Sequence, residues 1–149
     1  MDRSFYRSNT LSAEEWAAIW LRQSREKREE DFWVWEELTW TVIDDPERAW
    51  PVILQLVEQA VDADLEFIGA GPIEHLVEYH GIAFIDRIES TAASNERFRG
   101  ALATIWLNKW KQDPDVVTRT VVASGGVIEP FYLDHDEAER EEKLRQDGA

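Results

Sequence analysis

The segment Glu74-His75-Leu76-Val77-Glu78-Tyr79-His80 holds most of the side chains in this chain that do conventional polar chemistry. On a helix, Glu74 and Glu78 lie one turn apart on one face, and His75 sits beside that face, three residues from Glu78. Two carboxylates and an imidazole so placed can ligate a metal ion or share acid–base work. The spacing is neither the His-Glu-x-x-His of a zinc protease nor the Glu-x-x-His of a di-iron helix. His75 and His80 are five apart and diverge. A plainer reading covers each residue: Glu74 favours the dipole near a helix N-terminus, Glu78 faces water, and His80 beside Gly81 suits a helix C-terminus. The plainer reading is preferred, and no catalytic residue, metal ligand or cofactor is assigned.

Other catalytic signatures fail on their own terms. Gly69-Ala70-Gly71-Pro72 lacks the Gly-Lys-Ser/Thr ending of a phosphate loop and sits among acids. A hinge or a close helix approach is its expected role. Ser124 precedes two glycines without a Gly-x-Ser-x-Gly frame, and His135 lies in an acidic tail, so a serine triad is a poor fit. The chain has no cysteine, which excludes disulfides, thiolate metal sites and a cysteine nucleophile and fits a reducing cytoplasm. Met1–Thr10 carries Arg3 and Arg7 but no apolar run, so no secretion signal is expected. The longest apolar run, Trp16–Leu21, is far short of a membrane span.

The elements that position these residues read as helices. Ser12 and Glu15 form a capping box ahead of Trp16, Ile19 and Trp20. A charged stretch, Arg22 to Asp31, extends or links this helix. Phe32–Ile43 is a second helix. Asp45-Pro46-Glu47 starts a third that runs to about Val61, with Ala49, Ile53, Leu56 and Val57 in its stripe. A short piece around Asp64–Ile68 meets the Gly-x-Gly break, and Pro72 starts a helix that Gly81 closes. Ile82–Ile88 follows. Ser94 or Asn95 caps a helix through Trp110, with Phe98, Leu102, Ile105 and Trp106 in a stripe, and Asp113-Pro114 starts one that Gly125-Gly126 ends. Val127–Leu133 reads as extended, and Asp134 opens a charged terminal helix with a weak cap to Glu137. The fold expectation is all-α, as antiparallel helix pairs in a curled array, with a compact orthogonal bundle as the alternative. Residues 1–133 form one domain and 134–149 a charged helix or tail.

Phe32–Ile43 carries two apolar stripes, one of Phe32, Trp33, Trp40 and Ile43, the other of Val34, Trp35, Leu38 and Val42. Such a helix is buried on two sides or leaves one stripe for a partner. The buried, central placement is the expectation.

The run from Trp40 to Leu107 resembles a family of small uncharacterised bacterial proteins with a domain of unknown function. The resemblance is carried by Trp50 with Ile53 and Leu56, by Gly69-Ala70-Gly71-Pro72-Ile73-Glu74, by His80-Gly81, and by Phe98 with Leu102 and Trp106. Its most specific part is the Gly-x-Gly-Pro-x-Glu piece. It implies a helical bacterial domain and lends no activity.

Net charge is −15, and its location says more than its size. Residues 31–96 hold fifteen acids against Arg48 and Arg87 alone. That field repels nucleic acid and anionic membrane and attracts basic partners. Together with eight tryptophans, it points to an acidic domain that binds a basic protein, such as an immunity or antitoxin-like inhibitor of a basic bacterial effector. The residues assigned to that surface are Trp33, Glu36, Glu37, Asp62, Asp64, Glu66, Glu74 and Glu78. An adaptor domain whose acidity serves solubility is the alternative, and an enzyme at Glu74, His75 and Glu78 ranks below both.

Overall fold

The computed structural model describes residues 2–110, 112–133 and 135–148, and of 135–138 the backbone alone. Among the described residues the regular elements are helical, with one isolated bridge between Asn108 and Phe131. The fold is all-α.

Helix α1 (Ala13–Glu26) begins on the capping box: Ser12 Oγ accepts the Glu15 N–H at 3.1 Å, and Glu15 Oε1 accepts the Ser12 N–H at 3.0 Å. Two orphan donors are thereby satisfied. The helix ends where Lys27 turns left-handed at φ 53°. Helices α2 (Phe32–Asp44) and α3 (Pro46–Gln59) follow, and the first three pack on one another. In α3, Ala49, Val52, Ile53, Leu56 and Val57 recur at helical spacing and are all buried. The ring of Trp16 joins these helices: its indole N–H donates to the Val34 carbonyl at 3.4 Å, and the Arg48 guanidinium lies 5.1 Å from its centre.

Helix α4 (Leu65–Ile68) passes through a π-turn (Gly69–Ile73) into α5 (Glu74–Ser94). Helices α6 (Glu96–Leu102) and α7 (Pro114–Ala123) pack against α5. Asn95 caps α6, and the Asp113 carboxylate caps α7 as its Asp-Pro start predicts. Gly125 and Gly126, at φ 87° and 77°, end α7 in a conformation that favours glycine. Contacts of α2 with α5 and of α3 with α6 join both halves around one core that includes Trp16, Phe84 and Phe98. Helix α8 (His135–Asp147) is the charged terminal helix; Asp134 and its cap lie outside the described residues.

Five expectations are corrected. Helix α2 is buried on one side, through Val34, Leu38, Thr41 and Val42, while Phe32, Trp35 and Trp40 are exposed. Its surplus aromatics therefore sit outside the core. Gly81 does not close a helix: α5 runs on to Ser94 with a kink at His80 (φ −137°, ψ 24°). His80 Nε2 donates to the Ile43 carbonyl at 2.7 Å, which anchors the kink to α2. Gly69-Ala70-Gly71-Pro72 does not stop the chain either. Helical backbone continues through it, and Gly69 is needed because a Cβ there would overlap Thr104 Oγ1 and the Ala101 carbonyl of the α6 end. This is the close-approach role expected for the break. In addition, α6 stops at Leu102 and not at Trp110, so Trp106 leaves the stripe and is 72% exposed. Asp45 precedes α3 without a side-chain cap and pairs with Arg3 at 3.6 Å.

Candidate functional site

Two grooves flank the first turns of α5, and they part the Glu74, His75 and Glu78 cluster. The first has a volume of about 740 Å³ and is lined by Trp20 of α1, Phe32 and Trp35 of α2, Phe67 of α4, and His75. Phe32 and Trp35 stack with ring centres 5.7 Å apart and planes at 26°. These two rings and Phe67 are 46%, 41% and 54% exposed. Scattered exposed aromatics are ordinary, whereas three around one groove make a patch of the kind that marks an interaction site. Lys27 and Glu29 also line this groove.

His75 is half-buried, and its Nδ1 is enclosed without a hydrogen-bond partner. Burial holds its pKa below the ordinary histidine value, opposed in part by the Glu78 charge. A stranded lone pair is tolerated better than a stranded N–H. The neutral ring therefore carries its proton on Nε2.

The second groove, about 610 Å³, is lined by Glu74, Glu78, Tyr79, Trp106, Trp110 and Phe131, among others. The Trp106 backbone N–H donates to Glu74 Oε1 at 2.6 Å. Trp106 meets Phe131 edge-on at 5.8 Å, and Trp110 meets Tyr132 edge-on at 5.1 Å. The irregular segment bearing these rings is fixed from both sides. Asn108 Oδ1 accepts the Trp110 and Leu133 N–H groups, and its Nδ2 donates to the Leu133 carbonyl. The Phe131 N–H donates to the Leu107 carbonyl at 3.0 Å, and the Lys109 N–H to the Phe131 carbonyl at 2.8 Å. Burial pushes the Glu74 carboxyl above the usual carboxylate range; the Trp106 N–H opposes this and the Glu78 charge adds to it. Among the described residues no group of three His, Asp or Glu side chains is placed to hold a metal ion.

The structure distributes the acidic residues singled out in the sequence. Glu74 and Glu78 share the second groove. Asp64 is buried, takes a bidentate contact from Arg25 at 3.1 and 2.6 Å, and accepts the Val61 N–H at 2.8 Å. Glu37 accepts the N–H groups of Arg7 and Ser8, both at 2.9 Å, and tethers the N-terminal segment. Trp33 is half-buried under the Arg7 guanidinium at 5.4 Å. Asp62 is exposed, 3.9 Å from Arg97. Glu36 and Glu66 are exposed beside Trp35 and Phe67 in the sequence.

The acidic middle of the chain is thus folded against arginines from its flanks. Arg22 pairs with Asp31, Arg25 with Asp64, Arg97 with Asp62, and Arg119 with Asp86 and Glu89. Much of the acid has an internal partner, and what remains for an outside partner is local. Phe67, Tyr79 and Phe131 are groove residues that sequence reasoning passed over. For Phe67 the signal was present: Leu65 and Ile68 take the inward positions of α4 and leave Phe67 outward.

The model of the Family of unknown function (DUF6869) matches residues 22–125, well over half of the chain. The chain belongs to this family. The DUF6869 segment takes in Phe32, Trp35, Phe67 and His75 of the first groove, and it includes Glu74, Glu78, Trp106 and Trp110 of the second while stopping short of Phe131. No curated protein and no solved structure matches the chain. Among the described residues no helix is long and apolar enough to cross a membrane.

Proposed function

We propose that this chain is a protein-binding module that grips a basic partner at the first groove. One observation carries the reading: the Phe32–Trp35 stack and Phe67 line a single open groove, with the exposed carboxylates of Glu36 and Glu66 next to them in the sequence. Aromatic anchors in a partly desolvated groove supply binding energy, and acids near the rim steer and orient a basic partner. An immunity or antitoxin-like inhibitor of a basic effector in the cytoplasm is the narrower form of this reading.

Selection of displayed random peptides against the protein tests it. The selected peptides are expected to join an aromatic or aliphatic residue to Lys or Arg, and to bind more weakly as salt rises. Affinity is expected to fall about ten-fold with Phe67→Ser. Recovery of neutral or acidic peptides, or equal binding by the Phe67→Ser variant, refutes the proposal. Glu36→Gln combined with Glu66→Gln separates it from the adaptor reading, under which those carboxylates only aid solubility and the pair leaves binding unchanged.

A further inference from the structure

We propose that the second groove binds a methylated ammonium head, held between the faces of Trp106, Trp110 and Tyr79 and countered by Glu74 and Glu78. This proposal uses different residues from the first groove and stands apart from the reading given there.

The charge of Glu74 is the starting point. Asp31, Asp64 and Glu89 are at least half-buried, and each faces an arginine of this chain. Half-buried Glu37 has an N–H donor on each oxygen. Glu74 has one N–H on one oxygen, makes no ion pair among the described residues, and has the carboxylate of Glu78 one turn away in the same groove. Burial disfavours its charge. No Lys or Arg lines this groove among the described residues. A cation from outside completes it.

The walls specify the kind of cation. Trp106 and Tyr79 are 72% and 53% exposed, and Trp110 is also exposed. The indoles meet Phe131 and Tyr132 edge-on, which restrains them before a ligand arrives. Aromatic faces attract a cation through the ring quadrupole and are the usual recognition element for quaternary ammonium and methyl-lysine. The amides offer little competition. Asn108 spends its oxygen and nitrogen on backbone partners, and Gln112 Nε2 donates to the Glu78 carbonyl at 3.4 Å. The carboxylates also accept a guanidinium, so the choice between cations rests on the aromatic walls. A methylated ammonium needs charge and apolar faces, which are both present.

The test follows the indole N–H signals of Trp106 and Trp110 by NMR while the intact protein is titrated with choline, and separately with 3,3-dimethyl-1-butanol, its neutral isostere. Choline is expected to shift both signals and to bind about ten-fold or more tightly than the isostere. Trp106→Ala is expected to weaken choline about five-fold. Glu78→Gln, an exposed position on α5, gives a second variant expected to weaken it about three-fold should Trp106→Ala fail to fold. A peptide carrying trimethyl-lysine distinguishes the sources. Binding tighter than choline assigns the head to a protein side chain, and weaker binding assigns it to a free small molecule. Equal binding of choline and its isostere overturns the proposal. So does absence of any shift up to about 50 mM choline, or a peptide with unmodified Lys or Arg binding as tightly as the trimethyl-lysine peptide.

Discussion

The two grooves begin on adjacent residues of one helix and share almost nothing else. The first is walled by regular helices, α1, α2 and α4, and its polar group is an imidazole that burial keeps neutral. The second draws part of its wall from irregular backbone after α6 and after α7, and its polar groups are carboxylates. Neighbours in sequence diverge by about 100° on a helix, so Glu74 and His75 face different walls. The difference shows why a cluster of chemically able residues in a sequence is not yet a site. The elements packed on each side decide which of them work together.

Gly69→Ala is the strongest way to break this arrangement, since it strikes the turn that leads into both grooves. The added Cβ overlaps Thr104 Oγ1 and the backbone carbonyl of Ala101, and backbone has little room to yield. A loss of about 3 kcal/mol or more in denaturant unfolding is expected. A loss below about 1 kcal/mol would show that α4 and α6 are not in the close contact described.

Asp64→Asn acts on the first groove alone, because the Arg25–Asp64 pair ties α1 to the start of α4. A loss of about 2 kcal/mol at neutral pH is expected. The Arg25 guanidinium and the Val61 N–H hold the Asp64 carboxyl below its ordinary value of 3.8. Its contribution is therefore complete above that value and is lost as pH falls through the lower folded-state value. Variant and wild type should converge in acid, with the Trp106 and Trp110 indole signals of the variant matching those of wild type at each pH. An undiminished gap at low pH contradicts the assignment.

His75→Leu sharpens the contrast. The folded-state pKa of His75 lies below the ordinary 6.5, so the stability this group permits is full above about that pH and is lost as pH falls through it. The leucine variant lacks this decline. It should gain on wild type by up to about 1 kcal/mol between pH 7 and 5, after allowance for the half-exposed ring. A constant difference across that range rejects the neutral, partnerless imidazole.

Glu74→Gln carries the smallest effect and the opposite sign of slope. The Glu74 pKa is raised above the ordinary 4.5, so wild-type stability is fullest below that value and is lost as pH rises through the folded-state value. The amide keeps an oxygen for the Trp106 N–H. The variant should therefore gain a few tenths of a kcal/mol on wild type from pH 4 to 7. A loss over that range would mean the carboxylate is compensated inside the chain.

Much of the fold is legible in the sequence because its punctuation is local. The Ser12–Glu15 box, the Asp113 cap and the Gly125-Gly126 stop each act within a few residues, and each stands where the pattern places it. The failures are long-range. Nothing near Gly81 reveals that His80 reaches the Ile43 carbonyl, or near Gly69 that Ala101 lies against it. The acidic middle misled for the same reason. Its arginine partners from the flanks lie up to 39 residues away in the chain, so a running charge tally cannot pair them. Trp35 and Trp106 lie on apolar stripes in the sequence, and only the packing shows them in the open.

The wide turn Gly69–Ile73 has a consequence for chain length. Phe67 and His75 line one groove, yet eight residues of uniform α-helix would set them about 80° apart. A π-turn takes one residue more to come round, and that surplus closes the gap. The segment works as a phase shifter. Deletion of Pro72, which lines neither groove, would still rotate Phe67 away from His75. Here the number of residues matters as much as their kinds.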